Sequence, residues 1–134
     1  MEYRLERFEK HDDARGHLVV FLGCSELDES CKLFGQIYFV TFDGMGVIRG
    51  NHYHKKWREW FGVVSGRLQV LLKDVNTGET VELLLDGDAA DYIRLEIGPY
   101  VAHAFKSVTP SATLLNYADS EWSQEDSIPY GLME

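Results

Sequence analysis

Apolar residues in this chain come in short runs rather than in helical stripes. Arg67-Leu-Gln-Val-Leu-Leu-Lys-Asp74 sets Leu68, Val70 and Leu72 against Arg67, Gln69 and Leu71, the alternation of a strand with one buried face. The stretches 36–42, 59–64, 80–85, 92–97, 101–106 and 112–117 share its β-branched and aromatic make-up and are predicted as strands. His17-Leu-Val-Val-Phe-Leu22 is read as one more. Turn residues separate these runs at 12–16, 43–46, 76–78 and 86–88, and Ser65-Gly66 occupies a hairpin position. No segment shows sustained 3.6-residue amphipathicity with caps, so a helix of ten or more residues has room only in 1–10 or 23–32. The tail, 118–134, is polar, contains Pro129 and is read as irregular. Strands at roughly eight- to twelve-residue spacing predict an all-β sandwich or barrel.

One stretch breaks the apolar rhythm. Gly46-Val-Ile-Arg-Gly-Asn-His52-Tyr-His54 carries two histidines two residues apart, and Glu59 follows five residues after the second. On a strand, side chains alternate faces, so His52 and His54 project to one side with Tyr53 on the other. Imidazole pairs of that kind are metal ligands or an acid/base couple.

Composition narrows the setting. A chain of 134 residues with 45% hydrophobic residues can build one core, and it is read as a single domain over 1–134. No run approaches the ~20 apolar residues that span a bilayer. Met1-Glu-Tyr-Arg-Leu-Glu-Arg7 lacks the apolar stretch of a signal peptide, so a cytoplasmic protein with no membrane partner is expected. Cys24 and Cys31 are then expected as free thiols, since their spacing fits no common zinc motif. A net charge of −9 argues against nucleic acid. Positive charge is nonetheless concentrated locally, with Arg49, Lys55, Lys56, Arg58 and Arg67 around the histidines. That cluster suits either an anionic small substrate or a solvated strand edge.

The spacing carries a resemblance. Gly46, five residues, His52-x-His54, four residues, Glu59, six residues and Gly66 resembles the first motif of the cupin family at every fixed position. Ile97-Gly98-Pro99-Tyr100-Val-Ala-His103 looks like the second motif, with Tyr100 in place of its glycine and Ser107 in place of its asparagine. The resemblance implies a double-stranded β-helix, a small jelly roll, with the site in its pore. It also implies a metal set of His52, His54, Glu59 and His103, three nitrogens and one oxygen suited to one divalent ion (Zn, Fe, Mn or Ni).

A narrower resemblance points to sugars. Arg49-Gly-Asn-His52-Tyr-His54-Lys is similar to a stretch of nucleotide-sugar 3,4-ketoisomerases, and Arg49-Gly-x-His52-Tyr to one of dTDP-4-keto-6-deoxyhexose 3,5-epimerases. Asp13-Ala-Arg15-Gly16 matches an early element of both, and Gln36-Ile-Tyr38 resembles the ketoisomerase strand that brings a tyrosine to substrate. Residues 51–54 with Glu59 are similar to the metal-bearing cupin domain of capsular-sugar reductase/epimerases. The shared chemistry removes a proton beside a keto group and returns it to another carbon or the other face.

The resemblance therefore implies an isomerase or epimerase of a 4-keto-6-deoxy nucleotide sugar in deoxysugar or polysaccharide biosynthesis, working as a homodimer. Its catalytic residues would be His52, His54 and Tyr38, with Arg15, Arg49, His17, Lys56 and Arg67 holding substrate. Two features cut across this. No tyrosine stands in 119–125, where the epimerases carry a pair, and Glu59 replaces the glutamine usual in the ketoisomerases. Two alternatives remain open, a metal-dependent cupin oxidoreductase of the dioxygenase kind and a non-catalytic sugar-binding cupin. His52 is either a ligand or the base, since a ligating imidazole has no lone pair left to take a proton.

Overall fold

The computed structural model describes residues 1–29 and 34–134; Cys31 and part of the stretch 23–32 lie outside the described residues. Twelve strands are assigned among those described. They are β1 (Tyr3–Glu9), β2 (His11–Asp13), β3 (Gly16–Leu18), β4 (Gln36–Phe42), β5 (Ile48–Tyr53), β6 (Glu59–Ser65), β7 (Arg67–Asp74), β8 (Thr80–Asp86), β9 (Asp91–Ile97), β10 (Val101–Ser107), β11 (Ala112–Ala118) and β12 (Ile128–Pro129). Short 3-10 turns cover Cys24–Glu26 and Gln124–Asp126.

Ten strands form two five-stranded antiparallel sheets, ordered β1-β9-β6-β11-β4 and β12-β5-β10-β7-β8. Their alternation explains the architecture, because each sheet has one apolar face to bury and the two faces close on one another. Phe42, Phe61, Val63, Leu95 and Leu114 from the first sheet meet Leu68, Val70, Leu72, Val101 and Phe105 from the second. This is the jelly roll expected from the sequence. The predicted strands 36–42 and 67–74 match β4 and β7 end to end.

Two expectations are corrected and one open segment is assigned. The run from His17 contributes only its first two residues to β3; Leu18 and Val20 are exposed, so those apolar residues do not serve this chain's core. The charged N-terminus is a strand, paired along its length with β9, and β2 and β3 form a separate exposed hairpin. The tail is not irregular throughout, because β12 pairs Ile128 with Tyr53 and Pro129 with His52.

The local geometry at β5 positions the site. His103 pairs with His52 but Ala104 with Gly50, so Asn51 is an extra residue on β5. Gly50 (φ 98°) and Asn51 (φ 57°) both take positive φ there, the backbone expected of a bulge that re-aims a strand. A Cβ on Gly50 would stand 2.7 Å from the carbonyl oxygen of His103, so only glycine allows this approach.

Candidate active site

The elements converge four side chains between the sheets. His52 ends the regular part of β5, His54 follows it, His103 lies on β10 beside His52, and Glu59 opens β6 on the facing sheet. Ring centroids are 4.7 Å apart for His52 and His103, 4.9 Å for His52 and His54, and 5.6 Å for His54 and His103. One nitrogen from each of the three lies within 4.8 Å of the others. His54, His103 and Glu59 are buried and His52 is half-buried, so His52 is the member open to an incoming molecule.

Hydrogen bonds fix which nitrogens are free. His54 Nδ1 is 2.7 Å from the carbonyl oxygen of Asp126, and His103 Nδ1 is 3.0 Å from that of Val101. A carbonyl can only accept, so each Nδ1 carries the hydrogen and each Nε2 a lone pair. Those lone pairs face Glu59, with His54 Nε2 3.7 Å from Oε1 and His103 Nε2 3.4 Å from Oε2. Trp57 packs on the His54 ring at 4.0 Å, and Phe61 flanks His103 at 5.6 Å.

Burial sets the charge states. Loss of water raises the Glu59 carboxyl to about 8; nearby Asp119 adds to this, and the Trp57 indole N–H opposes it from outside hydrogen-bonding geometry. Burial lowers His54 to about 4, with His52 contributing and the Asp126 carbonyl and carboxylate opposing. His103 lies well below its ordinary value, first through burial and then through His52 and His54. Burial alone lowers His52, leaving a neutral imidazole at pH 7. Glu59 Oε2, Trp57 Nε1 and Asn116 Oδ1 are buried without a hydrogen-bond partner among the described residues.

The structure brings some of the other candidates to this place. Tyr38 lies on β4 in one row with Asn116 and Phe61. Tyr38 is 38% exposed, yet partial loss of water raises its pKa and Glu59 adds to that, while the Arg49 guanidinium pulls it back, so all three act within one electrostatic neighbourhood. Arg49 is exposed, donates from Nε to the Thr41 carbonyl at 3.1 Å and lies over the Phe42 ring. Lys56 is exposed on the loop between His54 and Glu59 and lines a surface cavity of about 310 Å³ with Glu121 and Asp126.

The remaining candidates lie elsewhere in the chain. Arg15 and His17 stand on the β2–β3 hairpin, paired with Asp13 at 2.6 Å and near Asp12 at 3.8 Å. Among the described residues, neither forms a hydrogen bond or ion pair with His52, His54 or His103. Arg67 starts β7, five residues from Leu72, the partner of His103, and that is roughly 17 Å along the strand. Its side chain shares the outer face with Gln69 and Leu71, so it is not part of this cluster.

Sequence reasoning missed Asp126, Asp119, Asn51 and Asn116. Asp126 and Asp119 hold the loop between His54 and Glu59, and Asn51 holds the tail. Only Asn116 carried a signal, as an amide at an inward position of an otherwise apolar strand.

Residues 11–126 match the polysaccharide biosynthesis C-terminal domain family. A UDP-2-acetamido-2,6-beta-L-arabino-hexul-4-ose reductase of Pseudomonas aeruginosa is 28% identical over 121 residues. That match covers 90% of this chain and 30% of the reductase, so the chain spans under a third of that relative. The crystal structure of a sugar 3,4-ketoisomerase from Thermoanaerobacterium thermosaccharolyticum in complex with TDP superposes with a TM-score of 0.76 and 25% identity, covering 94% of this chain and 86% of that one. A 3'-monoepimerase from Streptomyces bikiniensis in complex with dTDP-quinovose superposes with a TM-score of 0.80, 18% identity and coverage of 93% and 67%. At that lower identity the likeness is one of fold.

The charge states predict opposing pH effects on metal-free protein. His54 has a lowered folded pKa, so its contribution to stability is present above about 6.5 and is lost as pH falls through about 4. Glu59 has a raised one, so its contribution is present below about 4.5 and is lost as pH rises through about 8. In urea unfolding of chelator-treated protein, Glu59→Gln should flatten the loss of stability between pH 5 and 8 and leave the acid-side loss in place.

Proposed function

The chain belongs to the polysaccharide biosynthesis C-terminal domain family, and from that premise we propose that it is an isomerase or epimerase of a 4-keto-6-deoxy nucleotide sugar. The observation that carries this reading is a neutral, half-exposed imidazole, His52, at the open side of a buried cluster, with Tyr38 and Arg49 nearby. The ketoisomerase relative, which binds TDP, supports it as well.

In this reading His52 takes the proton from the carbon beside the ketone, and the electron pair moves onto the ketone oxygen to give an enediolate. Tyr38 keeps its hydrogen because its pKa is raised, so it can donate to that oxygen as charge develops. Return of the proton to the neighbouring carbon gives a shifted ketone, and return to the opposite face gives an epimer. Arg49 provides positive charge for the diphosphate. His54, whose ring centroid lies 4.9 Å from that of His52, relays the proton back to the substrate, and His103 and Glu59 form the wall behind the pair.

A second reading has a specific observation behind it. The buried Glu59 Oε2 has no hydrogen bond and faces the His103 Nε2 lone pair at 3.4 Å, and two acceptors so close call for a proton or a cation between them. The donor set fits one divalent ion held by His52, His54, Glu59 and His103. Such an ion would supply Lewis-acid polarisation of a substrate ketone. His52 could not then accept a proton with the same lone pair.

Incubation with dTDP-4-keto-6-deoxyglucose in deuterated water tests the activity. Deuterium should enter at a carbon adjacent to the ketone; none there, with other 4-keto nucleotide sugars equally inert, contradicts the proposal. Metal-stripped protein should exchange at the full rate if His52 is the base. Loss of exchange on stripping, with recovery on added Zn²⁺ in the wild type but not in Glu59→Gln, favours the metal reading.

A homodimer is part of the proposal. Ile37 and Phe39 on the edge strand β4 and Val64 on β6 share one outer face and are 60%, 69% and 57% exposed, an apolar patch of the kind that a second copy would cover. Sedimentation should give a dimer for the wild type and a shift toward monomer for Phe39→Asp; a wild-type monomer at micromolar concentration contradicts it.

A further inference from the structure

His54 and Glu59 are joined by a four-residue loop, 55–58, that belongs to no strand or helix. Such a loop leaves backbone N–H groups to be satisfied by something else. The chain's tail supplies the acceptors. Lys55 N–H donates to Asp126 Oδ1 at 2.9 Å and Lys56 N–H to Asp126 Oδ2 at 3.1 Å. Arg58 N–H donates to Asp119 Oδ1 at 2.9 Å, and Asp119 N–H returns a bond to the Arg58 carbonyl at 3.1 Å. The carbonyl of the same Asp126 receives His54 Nδ1–H at 2.7 Å. Asp126 is itself buried, at 6% exposure.

The segment carrying Asp126 is anchored beyond it. Ile128 and Pro129 pair with Tyr53 and His52. Tyr130 N–H donates to the Asn51 carbonyl at 2.7 Å. Asn51 Oδ1 accepts from Leu132 and Met133 N–H at 2.9 and 3.0 Å, and its amide donates to the Met133 carbonyl at 3.0 Å. Asp126 is thus held at both ends, and its carboxylate and carbonyl hold the backbone and ring at the start of the loop.

We propose that Asp126 is a positioning residue: its carboxylate, by holding the loop at Lys55 and Lys56, keeps its own main-chain carbonyl on His54 Nδ1 and so fixes the Nδ1–H tautomer, with the Nε2 lone pair turned toward Glu59 and His103. Asp126 does not touch substrate; it acts through His54. A carbonyl that fixes the tautomer of a working imidazole is a recurring outer support, and loss of such support costs about 10- to 100-fold in metal affinity or activity. Only the kinetic arm below rests on the proposed activity.

Long-range ¹⁵N–¹H correlation spectra of the histidines read the tautomer without substrate. Wild-type His54 should show one tautomer, protonated at Nδ1. Asp126→Ala should show a mixture of tautomers and a loss of about tenfold or more in kcat, with KM changed far less. Asp126→Asn, which keeps one acceptor oxygen, should fall between the two. Wild-type His54 protonated at Nε2 overturns the inference. So does Asp126→Ala with the wild-type tautomer and kcat. If Asp126→Ala does not fold, the wild-type tautomer and Asp126→Asn decide in the same terms. Failure of the tautomer arm leaves the proposed activity standing, whereas failure of wild-type deuterium exchange leaves the tautomer intact.

Discussion

A carboxylate buried against two imidazole lone pairs is the constraint on which the rest of this structure depends. Glu59 sits at 4% exposure among aromatic side chains, where an uncompensated charge would cost several kcal/mol. The site answers in one of two ways, with a proton retained on the carboxyl or with a cation shared among the donors. Either answer makes the cluster sensitive to what enters through His52. The apolar packing of Phe61, Phe105 and Trp57 that makes the site costly also keeps water out. Every electrostatic interaction inside is stronger for that exclusion.

The scaffold holds this cluster from three directions. The bulge at Gly50 and Asn51 turns the end of β5, so that His52 pairs with His103 across the sheet. The tail returns to that edge as β12 and clamps the bulged residue by its own amide. Two tail aspartates then fasten the loop that separates His54 from Glu59. Asn51 therefore does two jobs: its backbone makes the bulge, and its side chain pins the strap that supports the adjacent histidine.

Much of this was legible from residue pattern alone. Alternation in 67–74 and β-rich composition in 36–42 located two strands to the residue, because period two is a direct consequence of the pleat. Strand alternation placed His52 and His54 on one side, and the resemblance to the cupin motifs added Glu59 and His103 to them. Distant pairing was not legible. Nothing local in Asp126 says that its carbonyl will meet His54, 72 positions away, or that a polar tail with a proline will join a sheet. The run from His17 misled because hydrophobicity reports burial, and in Leu18 and Val20 it is not burial within this chain. Arg67 was drawn in by closeness in sequence, but the β6–β7 hairpin carries it to the far end of its strand.

The role of His52 is what joins this geometry to chemistry, and it can be tested by one substitution read in two ways. With His52→Asn, deuterium exchange into a 4-keto-6-deoxy nucleotide sugar should fall by about two to four orders of magnitude, the range that general-base catalysis supplies. Calorimetric binding of the same sugar nucleotide should stay within about tenfold of the wild type, because the imidazole is assigned to proton transfer and not to holding the diphosphate. Exchange that persists near the wild-type rate in His52→Asn would contradict the assignment of His52 as the base.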